Sequence, residues 1–127
     1  GDESNMNGVK AFNDKINQLD GFIFVLAEYN HTIPAALTNA ISWTQDVFHN
    51  KAAGIVSYGA AGGARAAEHL RNVLAQMQVA SVQAHMLISL FHDFDENGFK
   101  PLAVHQKNLA LITNQVESWS QALKTLR

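Results

Sequence analysis

An apolar run, Phe22-Ile23-Phe24-Val25-Leu26-Ala27, breaks into the polar hook Glu28-Tyr29-Asn30-His31-Thr32-Ile33-Pro34 and then into a stretch suited to a helix. A second run, Ala53-Gly54-Ile55-Val56, does the same through Ser57-Tyr58-Gly59-Ala60-Ala61-Gly62-Gly63-Ala64-Arg65. Successive strand–turn–helix units constrain the fold more than any other feature of this chain. Strands that alternate with helices pair in parallel, because the helix returns the chain across the sheet. Phe22 to Ala27 is apolar at every position, which marks a parallel strand buried on both faces. In open parallel sheets the turns at the strands' carboxyl ends line the ligand crevice.

The remaining elements fit between these units. Gly1 to Gly8 reads as a polar loop, and Val9, Phe12, Ile16 and Leu19 then recur at helical spacing. Pro34 suits the first position of a second helix, whose inner face carries Leu37, Ala40, Ile41, Thr44, Val47 and Phe48 and which His49-Asn50-Lys51 closes. Ala52 to Ser57 is the second strand. Gly62-Gly63 opens a third helix with Ala66, Leu70, Val73, Leu74 and Met77 inward, and a third strand lies within Val79 to Leu90. His92 to Pro101 reads as a charged turn. Leu109, Ile112, Val116, Trp119, Leu123 and Leu126 follow at steps of three and four, too briefly for a coiled coil and so as a core-facing terminal helix.

Length and composition set the class. A chain of 127 residues, 47% hydrophobic and 16% charged, reads as one globular domain, residues 1–127. The formal charge of −2 argues against nucleic acid as a partner. No apolar run approaches the roughly 18 residues of a membrane span, and no signal peptide is visible. The absence of cysteine excludes disulfides, thiolate metal sites and cysteine nucleophiles, and suits a reducing cytoplasm.

Candidate chemistry concentrates in the two turns. A tyrosine past a strand end offers a flat apolar surface with a polar tip, and neighbouring backbone amides can address a heteroaromatic edge. Around Gly59, Gly62 and Gly63 a backbone can approach a ligand closely, and N–H groups at a helix start favour an anion. The glycines match neither a G-x-G-x-x-G nor a Walker loop. Asp93-Phe94-Asp95-Glu96-Asn97-Gly98 imitates the start of an EF-hand, but the twelfth position is Val104 where a bidentate glutamate belongs, so a solvated turn is expected. The six histidines, His31, His49, His69, His85, His92 and His105, show no metal-ligand spacing. Arg65, Glu68, His69 and Arg71 fall within one or two helical turns, where pairing along the helix is the simplest account.

The wording of the two tracts resembles the NADPH-dependent FMN reductase family, flavodoxin-like quinone and azo reductases included. Glu28, Tyr29, Asn30, Thr32, Pro34, Leu37, Asn39, Ala40, Ile41 and Trp43 match the family's first motif, and Ser57-Tyr58-Gly59 with Gly62 to Arg71 resemble its second. The likeness runs from about Val9 to Pro101. Departures are Ala27 for proline, Ala35 for glycine, Thr38 for lysine and Ser42 for aspartate.

The resemblance implies a flavodoxin-like doubly wound parallel sheet, here with three recognisable strands. The family's first strand, phosphate loop, first helix and second strand have no counterpart before Phe22, so an N-terminally truncated domain is expected. It further implies FMN and NAD(P)H as cofactors, a small-molecule electron acceptor and a homo-oligomer. Glu28, Tyr29 and Asn30 would hold the isoalloxazine ring and the start of the ribityl chain, with Ser57, Tyr58 and Gly59 near the opposite edge. No side chain is required as acid, base or nucleophile. A remnant acting as an assembly module is the alternative expectation.

Overall fold

The computed structural model describes residues 3–127. Its elements run α1 (Glu3–Asn17), β1 (Gly21–Ala27), α2 (Ala35–Ser42), β2 (Lys51–Gly59), α3 (Ala64–Gln76), β3 (Val79–Ser89), the short strands β4 (Phe94–Asp95) and β5 (Gly98–Phe99), and α4 (Val104–Leu123), followed by a 3₁₀ turn over Lys124–Leu126. β1, β2 and β3 form a parallel sheet in that order, with Phe24 opposite Ile55 and Val56 opposite Met86. The α/β alternation is therefore as the apolar runs dictate.

Alternation along β2 feeds two cores. Ala53 and Ile55 join Leu26, Ile33, Ile41, Phe48 and the α3 residues Ala66, Ala67, Leu70 and Leu74 on one face. Val56 joins Val82, Ile88 and the α4 residues Ile112 and Val116 on the other. A Cβ at Gly54 would stand 2.5 Å from Cγ2 of Ile112, so glycine there lets α4 lie directly on the sheet.

Several boundaries differ from the sequence expectation, each for a local reason. Residues 3–8 are helical and belong to α1, not to a loop; Gly1 and Asp2 lie outside the described residues. α2 stops at Ser42 rather than continuing to Lys51. Ser42 Oγ donates to the Thr38 carbonyl at 2.8 Å and Thr44 Oγ1 to that of Ile41 at 2.7 Å, so hydroxyls compete for the helix's own acceptors. Lys51 opens β2 although it is charged: its buried Nζ donates to the Ile16 and Asn17 carbonyls at 2.9 and 3.3 Å, closing the carboxyl end of α1. β1 is parallel, but Val25 is 66% exposed, so burial on both faces does not hold. In α4 Ile112 and Val116 are buried, while Leu109 and Trp119 remain exposed.

Between Ala53 and Ile55 β2 advances two residues, while opposite them β3 advances four, from Ser81 to His85. That bulge is held from both sides. Arg71 of α3 donates to Ser81 Oγ and to the Val82 and Gln83 carbonyls, and Gln115 of α4 accepts from the Ala84 N–H at 2.8 Å.

Candidate functional site

The two turns lie side by side at the carboxyl edge, because Ala27 at the end of β1 stands opposite Tyr58 near the end of β2. They are tied directly: the Glu28 N–H donates to the Tyr58 carbonyl at 2.9 Å. After β1 the chain reverses within Tyr29–Thr32, whose N–H and C=O groups exchange bonds at 3.0 and 2.9 Å. Asn30 and His31 adopt φ of 50° and 64°, a left-handed pair that glycine ordinarily occupies. Ile33 then enters the core and pins the hook. Strain of this kind persists where surrounding structure fixes it, and it clusters at functional sites.

The second turn is bound tightly to itself. Ser57 is fully buried, and its Oγ donates to the Gly62 carbonyl at 2.8 Å. Gly63 has φ of 73°, and a Cβ there would lie 2.8 Å from the Tyr58 nitrogen. The Gly62 N–H returns to the Gly59 carbonyl at 3.0 Å.

Glu28 reaches across to the start of α3. Its carboxylate accepts from the N–H groups of Arg65 and Ala66 at 3.0 and 3.2 Å and from Arg65 Nε at 2.6 Å, and the Arg65 guanidinium forms an ion pair with it. The Arg65 bond holds this carboxyl below its usual range, against the opposing effect of burial and with help from the Ala66 amide. The start of α3 is thus not an open anion site, contrary to the expectation above, because the chain's own carboxylate fills it. His69 Nδ1 lies 2.9 Å from Thr32 Oγ1, a second tie from α3 to the hook. Arg65 and His69 therefore pair across the turns, while Arg71 and Glu68 pair along the helix at 3.5 Å.

The six site residues anticipated from sequence divide by direction. Glu28 and Ser57 point inward and hold the turns together, and Gly59 is buried beside them. Tyr29, 66% exposed, Tyr58, 39% exposed, and Asn30 face outward. Tyr29 and Tyr58 are the only tyrosines in the chain. Arg65, Thr32 and His69 were not singled out for this role, because their partners lie 37 residues away in sequence.

The solvated turn expected over residues 92–101 is exposed at every position but Asp93; it closes as a short β-hairpin anchored by that buried carboxylate, with Phe94 and Phe99 rings 5.2 Å apart. Burial raises the Asp93 carboxyl, but bonds from the Leu102 N–H, His105 and the Ser89 N–H outweigh it and hold the group below its usual range. Among the described residues no group of three or more His, Cys, Asp or Glu is placed to hold a metal ion.

Two exposed tyrosines at the carboxyl edge, Tyr29 in the hook and Tyr58 near the end of β2, suit a flat heteroaromatic ring. The residues fit the ring portion of a flavin, whereas the α3 start, already filled, does not serve its phosphate. A three-stranded parallel sheet flanked by helices, with two strand-to-helix segments side by side at its carboxyl edge, is a flavodoxin-like α/β arrangement.

Comparison with known proteins agrees. The NADPH-dependent FMN reductase family matches residues 2–93. NADH:(hydroxy)cinnamate reductase subunit CrdA of Vibrio ruber is 41% identical over 78 residues, covering 58% of this chain and 39% of that protein. The 2-hydroxy-1,4-benzoquinone reductase of a Burkholderia species is 33% identical over 121 residues, covering 87% and 65%. The solved flavoenzyme NAD(P)H:(acceptor) oxidoreductase FerB of Paracoccus denitrificans superposes with a TM-score of 0.69 at 20% identity, over 94% of this chain and 69% of that one. The chain belongs to the NADPH-dependent FMN reductase family. It spans about two-fifths of the length of the first of these relatives.

Proposed function

We propose that this chain carries the ring-binding turns of an NAD(P)H-dependent FMN oxidoreductase, reducing quinone-, azo- or flavin-type acceptors. The observation that carries this reading is that Tyr29 and Tyr58 both face outward at the carboxyl edge, where the Glu28–Tyr58 backbone bond ties their two segments together. Tyr29 and Tyr58 would contact the isoalloxazine, with the left-handed Asn30 beside it. Glu28, Ser57 and Gly59 would keep the two turns in register. When bound, FMN supplies hydride transfer between a nicotinamide and the acceptor. The chain's part is to orient the ring and limit water access, with no proton-transfer residue assigned. The Vibrio and Burkholderia relatives, named for cinnamate and benzoquinone reduction, support a conjugated carbonyl compound as acceptor.

A homo-oligomer fits the exposed Val25 and Ile23 on β1. No helix among the described residues is long and apolar enough to cross a membrane, and the lack of cysteine suits the cytoplasm.

The test is FMN-dependent oxidation of NADPH with 1,4-benzoquinone as acceptor. Turnover that needs FMN and falls at least tenfold in kcat/KM on Tyr29→Leu, about 1.4 kcal/mol, is expected. Turnover indifferent to both tyrosines would remove the reading.

A further inference from the structure

The segment after β3 is fastened from one buried point. Asp93 is 1% exposed. Its N–H donates to the Ser89 carbonyl at 3.0 Å, and its own carbonyl accepts from the Lys100 N–H at 2.7 Å. Its carboxylate accepts from the N–H groups of Ser89 and Leu102 at 2.7 and 2.9 Å and from His105 Nε2 at 2.8 Å. His105 lies in the first turn of α4 and is itself buried, and its Nδ1 has no partner among the described residues. One carboxylate therefore joins the end of β3, the approach to α4, and α4 itself.

This anchor is coupled to the glycine turn. Ser89 stands opposite Gly59 in the sheet. The Leu90 N–H donates to the Gly59 carbonyl at 3.1 Å. A Cβ on Gly62 would come within 2.8 Å of Leu87 Cβ, so the end of β3 presses on the loop that follows Tyr58. Leu90 and Phe91, 47% and 73% exposed, stand on the short span between Gly59's partner and Asp93.

We infer that Asp93 and His105 are positioning residues for the flavin turn: through Ser89 and Leu90 they fix the Gly59–Gly62 loop beside Tyr58 and hold Leu90 and Phe91 as its apolar wall. The inference rests on the function proposed above. Its chemistry lies in a single donor. A buried carboxylate that loses a hydrogen-bond partner is strongly disfavoured, so the segment shifts to find another. Glutamine can place its amide nitrogen where His105 Nε2 lies, whereas the shorter asparagine reaches only the position of Nδ1, which bonds nothing.

The experiment compares wild type, His105→Gln, His105→Asn and Ile112→Val, a core control on α4. FMN affinity is measured by quenching of FMN fluorescence, and amide exchange is followed at Leu90. His105→Asn should bind FMN about tenfold more weakly and exchange the Leu90 amide about tenfold faster. His105→Gln should stay near wild type on both. Ile112→Val should lower the flavin-free melting temperature without weakening FMN. Wild-type affinity in His105→Asn, or equal loss in the two histidine variants, would overturn the positioning role alone. Failure of the wild-type chain to bind FMN would overturn the flavin reading and this inference with it.

Discussion

Removing the Glu28 carboxylate should destabilise the protein in a way that vanishes in acid. This side chain caps α3 from the hook after β1, accepting from the Arg65 and Ala66 N–H groups. Losing a capping acceptor to alanine costs about 0.5–2 kcal/mol. The ion pair with Arg65, whose side chain is 45% exposed, adds about 0.2–1 kcal/mol. Glu28→Ala should therefore cost about 1–3 kcal/mol, and Glu28→Gln, which keeps an acceptor oxygen, nearer 1 kcal/mol. For a chain of this length that is a melting-temperature loss of about 3–15 °C for alanine.

The sign of the pH dependence follows from the lowered carboxyl. The stabilisation is fully present above the unfolded value of 4.5 and is lost as pH falls through the lower folded value. Thermal melts at pH 7 and pH 3 should show the wild-type advantage over Glu28→Gln shrinking at the lower pH. Glu28→Ala should also uncover the α3 start, so that sulfate raises its melting temperature more than it raises that of wild type. An advantage over Glu28→Gln that persists unchanged at pH 3, or no difference at pH 7, would refute the capping argument.

The left-handed Asn30 separates the backbone's needs from the ligand's. Asn30→Gly should leave the flavin-free melting temperature within about 2 °C of wild type while weakening FMN, and Asn30→Ala should lower both, by about 1 kcal/mol in stability; calorimetry beside FMN titration checks this. Gly63→Ala should be far costlier, about 2–4 kcal/mol, because its φ of 73° and a Cβ 2.8 Å from the Tyr58 nitrogen act together. A Gly63→Ala variant that melts with wild type would show that the turn opens at little cost.

The parallel strands and the order of elements were legible because they follow from local runs. Phe22–Ala27 and Ala53–Val56 are apolar over lengths that suit strands, and the turn residues that end them are chemically distinct. What was not legible depends on distant partners. Lys51 opens a strand because α1's last carbonyls lie above it, and β3 bulges because Arg71 and Gln115 hold it from opposite faces. The site followed the same division. Tyr29 and Asn30 could be placed from their positions past the end of β1, whereas Tyr58, expected past the second strand's end at Ser57, is still within β2, which runs to Gly59. That Glu28 turns inward could not, since its partners at the start of α3 lie 37 and 38 residues away, and the inward Ser57 shows only once the turn folds back to bring the Gly62 carbonyl to its Oγ. Asp93 reads as a calcium-loop imitation in sequence and becomes a buried anchor only once His105 is brought 2.8 Å away.

The central claim is that a flavin ring binds between the two turns, and the chain offers a direct probe of it. Tyr29 and Tyr58 are its only tyrosines, so uniform incorporation of 3-fluorotyrosine gives fluorine NMR signals from the site alone, assigned by replacing either residue with phenylalanine. On titration with FMN both resonances should shift together and saturate at the concentration where flavin fluorescence is quenched. Riboflavin should move the same resonances, because the contact is with the ring. Saturable FMN binding that leaves both signals in place, or no response at millimolar FMN, would contradict the account.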